Sequence, residues 1–544
     1  MKKRLALFTA AMIACSGLAA CGSTATTGSS EQEVAESDTE SDEEDVDGSE
    51  DTENLDGASG EESGNSTEGE TPGNPPDGEK LGNPPDGEMP GNPSDGEKPG
   101  NPPDGERPGN PPDGEKPGNP PDGEKPGNPP GGGFGGQGSS ADIDYVGAVE
   151  ITSSENMDGE TIESDQADEN ALLVSTSDDV SVSNTTVSKS GDSDGGDSCN
   201  FYGLNAAVLV KDGSMATISN LTVSSEADGA NGVFSYGGNG GTNEAEGDGT
   251  AVVIRDSKIT TSKDGSGGIM TTGGGVTQAS NLEIETSGRS SAAIRTDRGG
   301  GTVTVDGGSY TTNGLGSPAI YSTADITVSN AKLVSNLSEG VCIEGMNKIA
   351  LKNCDMEANN TDTNGNAAFH DTIMIYQSMS GDADSGTSLF SMDGGSLTSK
   401  SGHVFHVTNT NAQIELSGVT ITNNDSDNIL LSVCADGWSG ADNVAELNAK
   451  NQKLEGWILV GDDSKLTLKL SEGSSFTGTI GGEITNAKGE SVSSEVGEVE
   501  VALDDDSTWT LTADTYISAF DGDVSRVVSN GYKLYVNGVD YLEQ

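Results

Sequence analysis

Residues 165–480 predict an all-β fold, a right-handed parallel β-helix, on three observations. Apolar and small polar residues alternate, as in Ile326-Thr327-Val328-Ser329, which is the period-2 mark of a strand with one buried face. Each alternating run meets a Ser-Asn or Asp-Gly pair and then resumes, as at Asn330-Ala331-Lys332-Leu333. Asn, Asp and Gly accept the left-handed backbone that a sharp bend demands. The unit then recurs, and the closest turn positions lie 23 residues apart, 307 to 330 and 330 to 353. A minimum period with occasional enlargement marks a solenoid with loop insertions. Thr, Ser, Val and Gly dominate these runs, and helices tolerate that composition poorly.

Composition bounds the rest. The formal charge of −63 excludes nucleic acid as a partner, because phosphates would be repelled. Hydrophobic residues make up only 31% of the 544, so much of the chain lies outside any core. A solenoid accommodates this, since each coil buries only a narrow inner stripe.

The chain opens on Lys2-Lys3-Arg4 and the apolar run Leu5 to Ala14, too short to span a bilayer and suited to an export signal over residues 1–20. It ends Leu18-Ala19-Ala20-Cys21-Gly22, which resembles the lipobox of bacterial lipoproteins. That resemblance implies lipidation of Cys21, a membrane partner through the anchor, and display on the extracellular face of the bacterial cell membrane. Residues 21–71 follow as an acidic tether, and from 31 to 70 there is no Lys or Arg, so disorder and self-repulsion are expected. From residue 72 to 139 a nine-residue repeat, Pro-Gly-Asn-Pro-Pro-Asp-Gly-Glu-Lys, leads into a Gly-rich joint at 131–136. Proline density prevents helix or sheet there, and glycine interrupts a stiff polyproline rod. Fully extended, the stretch from 72 to 130 reaches at most ~180 Å at about 3.1 Å per residue.

The solenoid is placed at 140–480. Its turns read Val182-Ser183-Asn184, Ile218-Ser219-Asn220, Ile254-Arg255-Asp256, Ala279-Ser280-Asn281, Val305-Asp306-Gly307, Leu351-Lys352-Asn353, Met392-Asp393-Gly394 and Leu416-Ser417-Gly418. Between them lies a second strand set that includes 206–210, 232–236, 292–296, 318–322, 340–344, 372–376, 403–407, 428–432 and 456–460. Three strands per coil, stacked about 4.8 Å apart, predict about ten rungs. Residues 481–544 read as a terminal β cap, with aromatic strands around Trp509, Tyr516, Leu534 and Tyr541 keeping the last sheet edge covered. Beyond the leader, Cys199, Cys342, Cys354 and Cys434 are scattered without metal spacing and read as small apolar side chains in coils.

The repeating x-Ile/Val-x-Ile/Val-Ser-Asn-x-x-Ile/Leu pattern, with the tail Trp509-Thr510-Leu511-Thr512 … Asn530-Gly531-Tyr532-Lys533-Leu534-Tyr535-Val536-Asn537-Gly538, resembles the pectate-lyase-like β-helix superfamily. More narrowly it is similar to the adhesin-like, carbohydrate-binding-domain lipoproteins of anaerobic gut bacteria. The superfamily spans lyases, hydrolases, esterases and adhesins, so the resemblance implies a fold more strongly than an activity.

Enzymes on this fold work in a groove along one sheet. In the second strand set, Ile294, Ile320, Cys342, Met374, Phe405, Leu430 and Ile458 are expected inward. The column beside them, Phe234, Arg295, Tyr321, Ile343, Ile375, His406, Leu431 and Leu459, is expected outward, and a slip of one residue would exchange the two. Arg295, Tyr321 and His406 are the sugar-contact candidates on that strip, since sugar faces stack on aromatic rings and guanidinium forks bind carboxylates. Enlarged coils at 188–205, 224–250, 261–277, 357–371, 378–388 and 435–443 offer Tyr202, Tyr236 and Trp438 as aromatic anchors. No catalytic residue set is legible: the histidines are sparse and no acidic cluster stands on neighbouring coils. The loop Asp192-Ser193-Asp194-Gly195-Gly196-Asp197 has calcium-loop composition but lacks the closing Glu, so it reads as a solvated loop; no cofactor is expected, with Ca²⁺ at this loop as the alternative. The expectation is a monomeric, surface-tethered adhesin-like protein binding carbohydrate or a cell-surface partner. An anchored polysaccharide lyase or glycoside hydrolase is the alternative, and a structural envelope protein the third.

Overall fold

Left-handed backbone sits where the repeat asks for it. The turn positions Asn184, Asn220, Asp256, Asn281, Gly307, Asn330, Asn353, Gly394 and Gly418 all have φ between 50° and 73°. These positions belong to a computed structural model that describes residues 143–240 and 246–542. The leader, Cys21, the tether and the spacer lie outside the described residues.

The described chain is a parallel β-helix. One face is a parallel sheet of fifteen strands, one per coil, from Val146–Ile151 through Ile294–Thr296, Ile320–Ser322 and His403–Thr408 to Val527–Val528. The stack therefore holds more coils than the ten or so counted from the repeat. Strands keep joining it past residue 480: Thr508–Thr510 pairs with Ser475–Gly481, and Glu498–Leu503 pairs with Ser464–Ser471. The other two faces flank the Asn turn. In early coils they are separate strands, such as Asp179–Ser183 and Thr186–Lys189; later they run through the corner as one bent strand, such as Gly301–Thr312 or Lys348–Ala358.

Stacked turns build a polar ladder. Asn184 Nδ2 donates to Asp158 Oδ1 at 2.7 Å, Asn220 to Asn184 at 3.1 Å, Asn281 to Asp256 at 3.3 Å and Asn330 to Asp306 at 2.7 Å. A second corner is a buried serine ladder, in which the backbone N–H groups of Ala230, Ser266 and Ser291 each donate to the Oγ of the next coil, Ser266, Ser291 and Ser317. Bends that would otherwise strand buried N–H groups are thereby satisfied. Inside, Ile, Val and Leu from all three faces form one continuous core, closed near its end by Phe476 stacked on Trp509 at 5.8 Å.

The strand register corrects the expected columns. Ile320 pairs with Val341, not Cys342, and Val341 pairs with Ile373. Cys342 and Met374 therefore point outward, while Ile343 and Ile375 point into the core. Both sides of these strands are apolar and buried, so alternation could not report the parity. Further on, Leu431 pairs with Phe405 and turns inward, and the ladder to the next coil carries a bulge between Ile429 and Leu431. Cys342 and Cys354 lie on opposite sides of the helix wall, and all four described cysteines are free thiols.

Candidate functional site

The outward column of the fifteen-stranded face runs Leu173, Leu209, Phe234, Met270, Arg295, Tyr321, Cys342, Met374, His406, Ser432, Leu459 and Gly481. Enlarged coils cover most of it. The helix Asp197–Tyr202 lays Phe201 and Tyr202 over Leu209, Phe234 and Met270. Tyr202 and Tyr236 meet edge to face at 5.7 Å and are buried there. Trp438 packs on Tyr376 at 4.8 Å above Cys342 and Met374. Tyr202 and Tyr236 are thereby buried under loops, and Trp438 is half-buried against Tyr376.

His406 is buried too. His403 Nδ1 and His406 Nδ1 lie 2.7 and 2.8 Å from Ser432 Oγ, and His406 Nε2 lies 3.4 Å from Asp436 Oδ2. Ser432 has one proton to give, so it donates to one ring and accepts from the other. Phe369 covers both rings, at 5.4 and 4.6 Å. Burial, with the neighbouring His406 and His370, pushes the His403 pKa down to about 3, so this ring is neutral. The residue types are those of a hydrolytic triad, but His406 and Ser432 are sealed from solvent, and no substrate carbonyl reaches them. Nearby Asp371 is buried with neither carboxylate oxygen partnered by protein, and burial raises its pKa well above the usual range, helped by Glu339 and Asp436.

The column opens at Arg295 and Tyr321. A cleft of about 190 Å³ is lined there by Ser290, Arg295, Pro318, Tyr321 and Asn364. The Arg295 guanidinium lies 5.4 Å from the Tyr321 ring centre and grips Asp297 Oδ2 through Nε at 3.1 Å and Nη2 at 2.5 Å. Asp297 is nearly fully buried. Desolvation lifts its pKa to about 6 against the pull of Arg295, and Asp382 adds to the rise. Arg298 pairs with Asp382, its guanidinium 4.3 Å from the Phe201 ring. At the rim Arg289 donates to Asn364 Oδ1 at 2.8 Å and is exposed. On the far side of Tyr321, its hydroxyl and that of Tyr376 both donate to the buried carboxylate of Glu344. The structure thus brings Arg295 and Tyr321 together, with Trp438 packed on the same outward cluster as Tyr321 through Tyr376, while Tyr202, Tyr236 and His406 belong to other clusters.

The column opens again at Leu459 and Gly481. Trp457, two residues before Leu459 and so on the same side of the strand, is exposed beside Tyr516 and the carboxylates of Asp427, Glu483 and Asp514. Sequence reasoning passed over Trp457, although counting back by two from Leu459 would have placed it outward. Tyr516 belongs to a three-stranded sheet that no repeat pattern announces. Asp192 of the acidic loop accepts from the Asp228 N–H. Among the described residues, no group of three or more His, Cys, Asp or Glu side chains is placed to hold a metal ion.

No protein-family model matches this chain, and neither a curated protein nor a solved structure matches it.

Proposed function

We propose that the chain is a lipid-anchored, surface-displayed binding protein that holds carbohydrate in the Arg295 cleft. In this reading Cys21 is the anchor on the outer face of a bacterial membrane, and residues 21–139 are the reach that carries the β-helix away from it. The observation that carries the reading is the meeting of a guanidinium and a tyrosine ring, both half-buried, where the loops leave a small cleft on the outward column. A sugar ring lays its C–H face on Tyr321, and the exposed Arg289 at the rim takes a carboxylate of the same chain.

A second reading, an anchored polysaccharide lyase or glycoside hydrolase, draws on Asp297, a carboxyl that holds its proton to about pH 6 beside Arg295. Passing the full chain over immobilised polysaccharides, uronate-bearing and neutral, separates the readings. Retention of a uronate polymer without new reducing ends or unsaturated products, weakened several-fold by Arg289→Ser at an unchanged melting temperature, is expected. Product release supports the enzyme, and no retention on any polymer removes the binding reading in favour of a structural envelope role.

A further inference from the structure

We infer that the cleft between Trp457 and Tyr516 is a second carbohydrate site, selective for neutral sugar chains. It occupies about 560 Å³, within the range of small-molecule sites. Two large aromatic side chains are exposed at it, Trp457 at 39% and Tyr516 at 49%, in a protein with few aromatics. Tyr535 stacks on Tyr516 at 4.6 Å and 6°, which backs one face of this exposed ring. Exposed rings held rigidly present apolar area at little entropic cost on binding.

The cleft also keeps its space open. Gly481 has no left-handed φ, and a Cβ built on it would come no nearer than ordinary contact, with Trp457 Cζ3 at 3.6 Å and Trp457 Cε3 and Leu459 Cδ2 at 3.9 Å. Neither backbone nor packing demands glycine there, and any longer side chain would cover the Trp457 ring. Gly482 differs, because a Cβ there would strike the Glu495 backbone at 2.1 Å.

Polar lining decides the ligand class. Asp427, Glu483 and Asp514 supply acceptors for sugar hydroxyls, and no Lys or Arg lines the cleft. A uronate chain would set carboxylate against carboxylate, whereas a neutral pyranose chain satisfies both ring faces and acceptors. The site shares no residue with the Arg295 cleft, which lies six coil spacings away, about 29 Å at 4.8 Å per coil. Either assignment can therefore fail alone.

The test is a titration of the full chain with dextran, mannan, xylan and polygalacturonate, read by tryptophan fluorescence and affinity electrophoresis. Trp509 is buried and Trp438 half-buried, so Trp457 dominates any ligand-sensitive signal. At least one neutral polymer is expected to change the emission and retard the protein, and polygalacturonate to leave the emission unchanged. Trp457→Ala and Gly481→Leu should each weaken that binding at least tenfold at an unchanged melting temperature, whereas Arg289→Ser should not affect it. Silence with all three neutral polymers, or binding that survives both variants, overturns the assignment.

Discussion

The Tyr321 hydroxyl donates to a Glu344 carboxylate oxygen across 2.6 Å, and this bond joins the floor of the Arg295 cleft to the loop 378–388. Glu344 is buried and also accepts from the hydroxyls of Tyr376, at 3.0 Å, and Ser378. With the Ser380 hydroxyl at 3.4 Å, four donors from neighbouring coils converge on one acid.

Glu344→Ala should therefore act at a distance. It leaves buried hydroxyls without an acceptor, each costing about 1–3 kcal/mol, and frees the Tyr321 ring. The expected outcome is a lower melting temperature together with weaker retention of carbohydrate at the Arg295 cleft. Glu344→Gln keeps an acceptor oxygen and should recover most of both, as thermal melts and retention measured on the same preparations would show. Equal losses in the two variants would mean that the charge, not the acceptor, matters.

Acid should weaken the fold through His403. Its folded pKa is pushed from 6.5 to about 3, so between those values the unfolded chain takes up a proton that the folded ring refuses. Stability falls by about 1.4 kcal/mol per pH unit across that window and not above it. Asp371 works in the opposite sense. Its raised pKa leaves its contribution intact below 3.8 and lost as pH climbs. Melting temperatures from pH 3 to 8 should show a shallower acid decline in His403→Gln, and Asp371→Asn should be stabilised at pH 7 but unchanged at pH 3. A wild-type curve that matches His403→Gln throughout the range below pH 6.5 would contradict the assignment.

The turn ladder predicts a graded series at Asn330. Its φ of 56° and its bond to Asp306 both suit Asn. Asn330→Ala keeps neither advantage and should cost about 1–2 kcal/mol. Asn330→Gly relieves the backbone but forfeits the side-chain bond, and should cost less. Asn330→Val should cost most, because a β-branched residue resists a positive φ. Chemical-denaturation midpoints of the set would check the order.

Much of this was legible because a solenoid writes its geometry locally. Each turn from Asn184 to Gly418 announced itself by residue type, and the fold class followed from their spacing. The named members of the strand set from 206 to 460 were placed to within three residues at either end, and the strand Ile269–Thr272 lay inside what read as an enlarged coil. Parity failed at Cys342 and Met374, where both faces of the strand are apolar: the inner side by the core, the outer by loops folded over it. The coils beyond residue 480 escaped notice since their turns lack the Ser-Asn signature.

By itself the sequence determined that residues 165–480 form coils, where they bend, and that Arg295 and Tyr321 share one outward column. Those properties depend on neighbours a few residues apart or one period away, and a repeat displays both. Only the tertiary structure decided which parts of that column stay open. It buried Tyr202, Tyr236 and His406, clamped Trp438 onto Tyr376, and left Trp457 free beside Tyr516. Loop placement depends on contacts between residues such as Arg298 and Asp382, or Arg289 and Asn364, which lie several coils apart in the chain, and no local pattern encodes them.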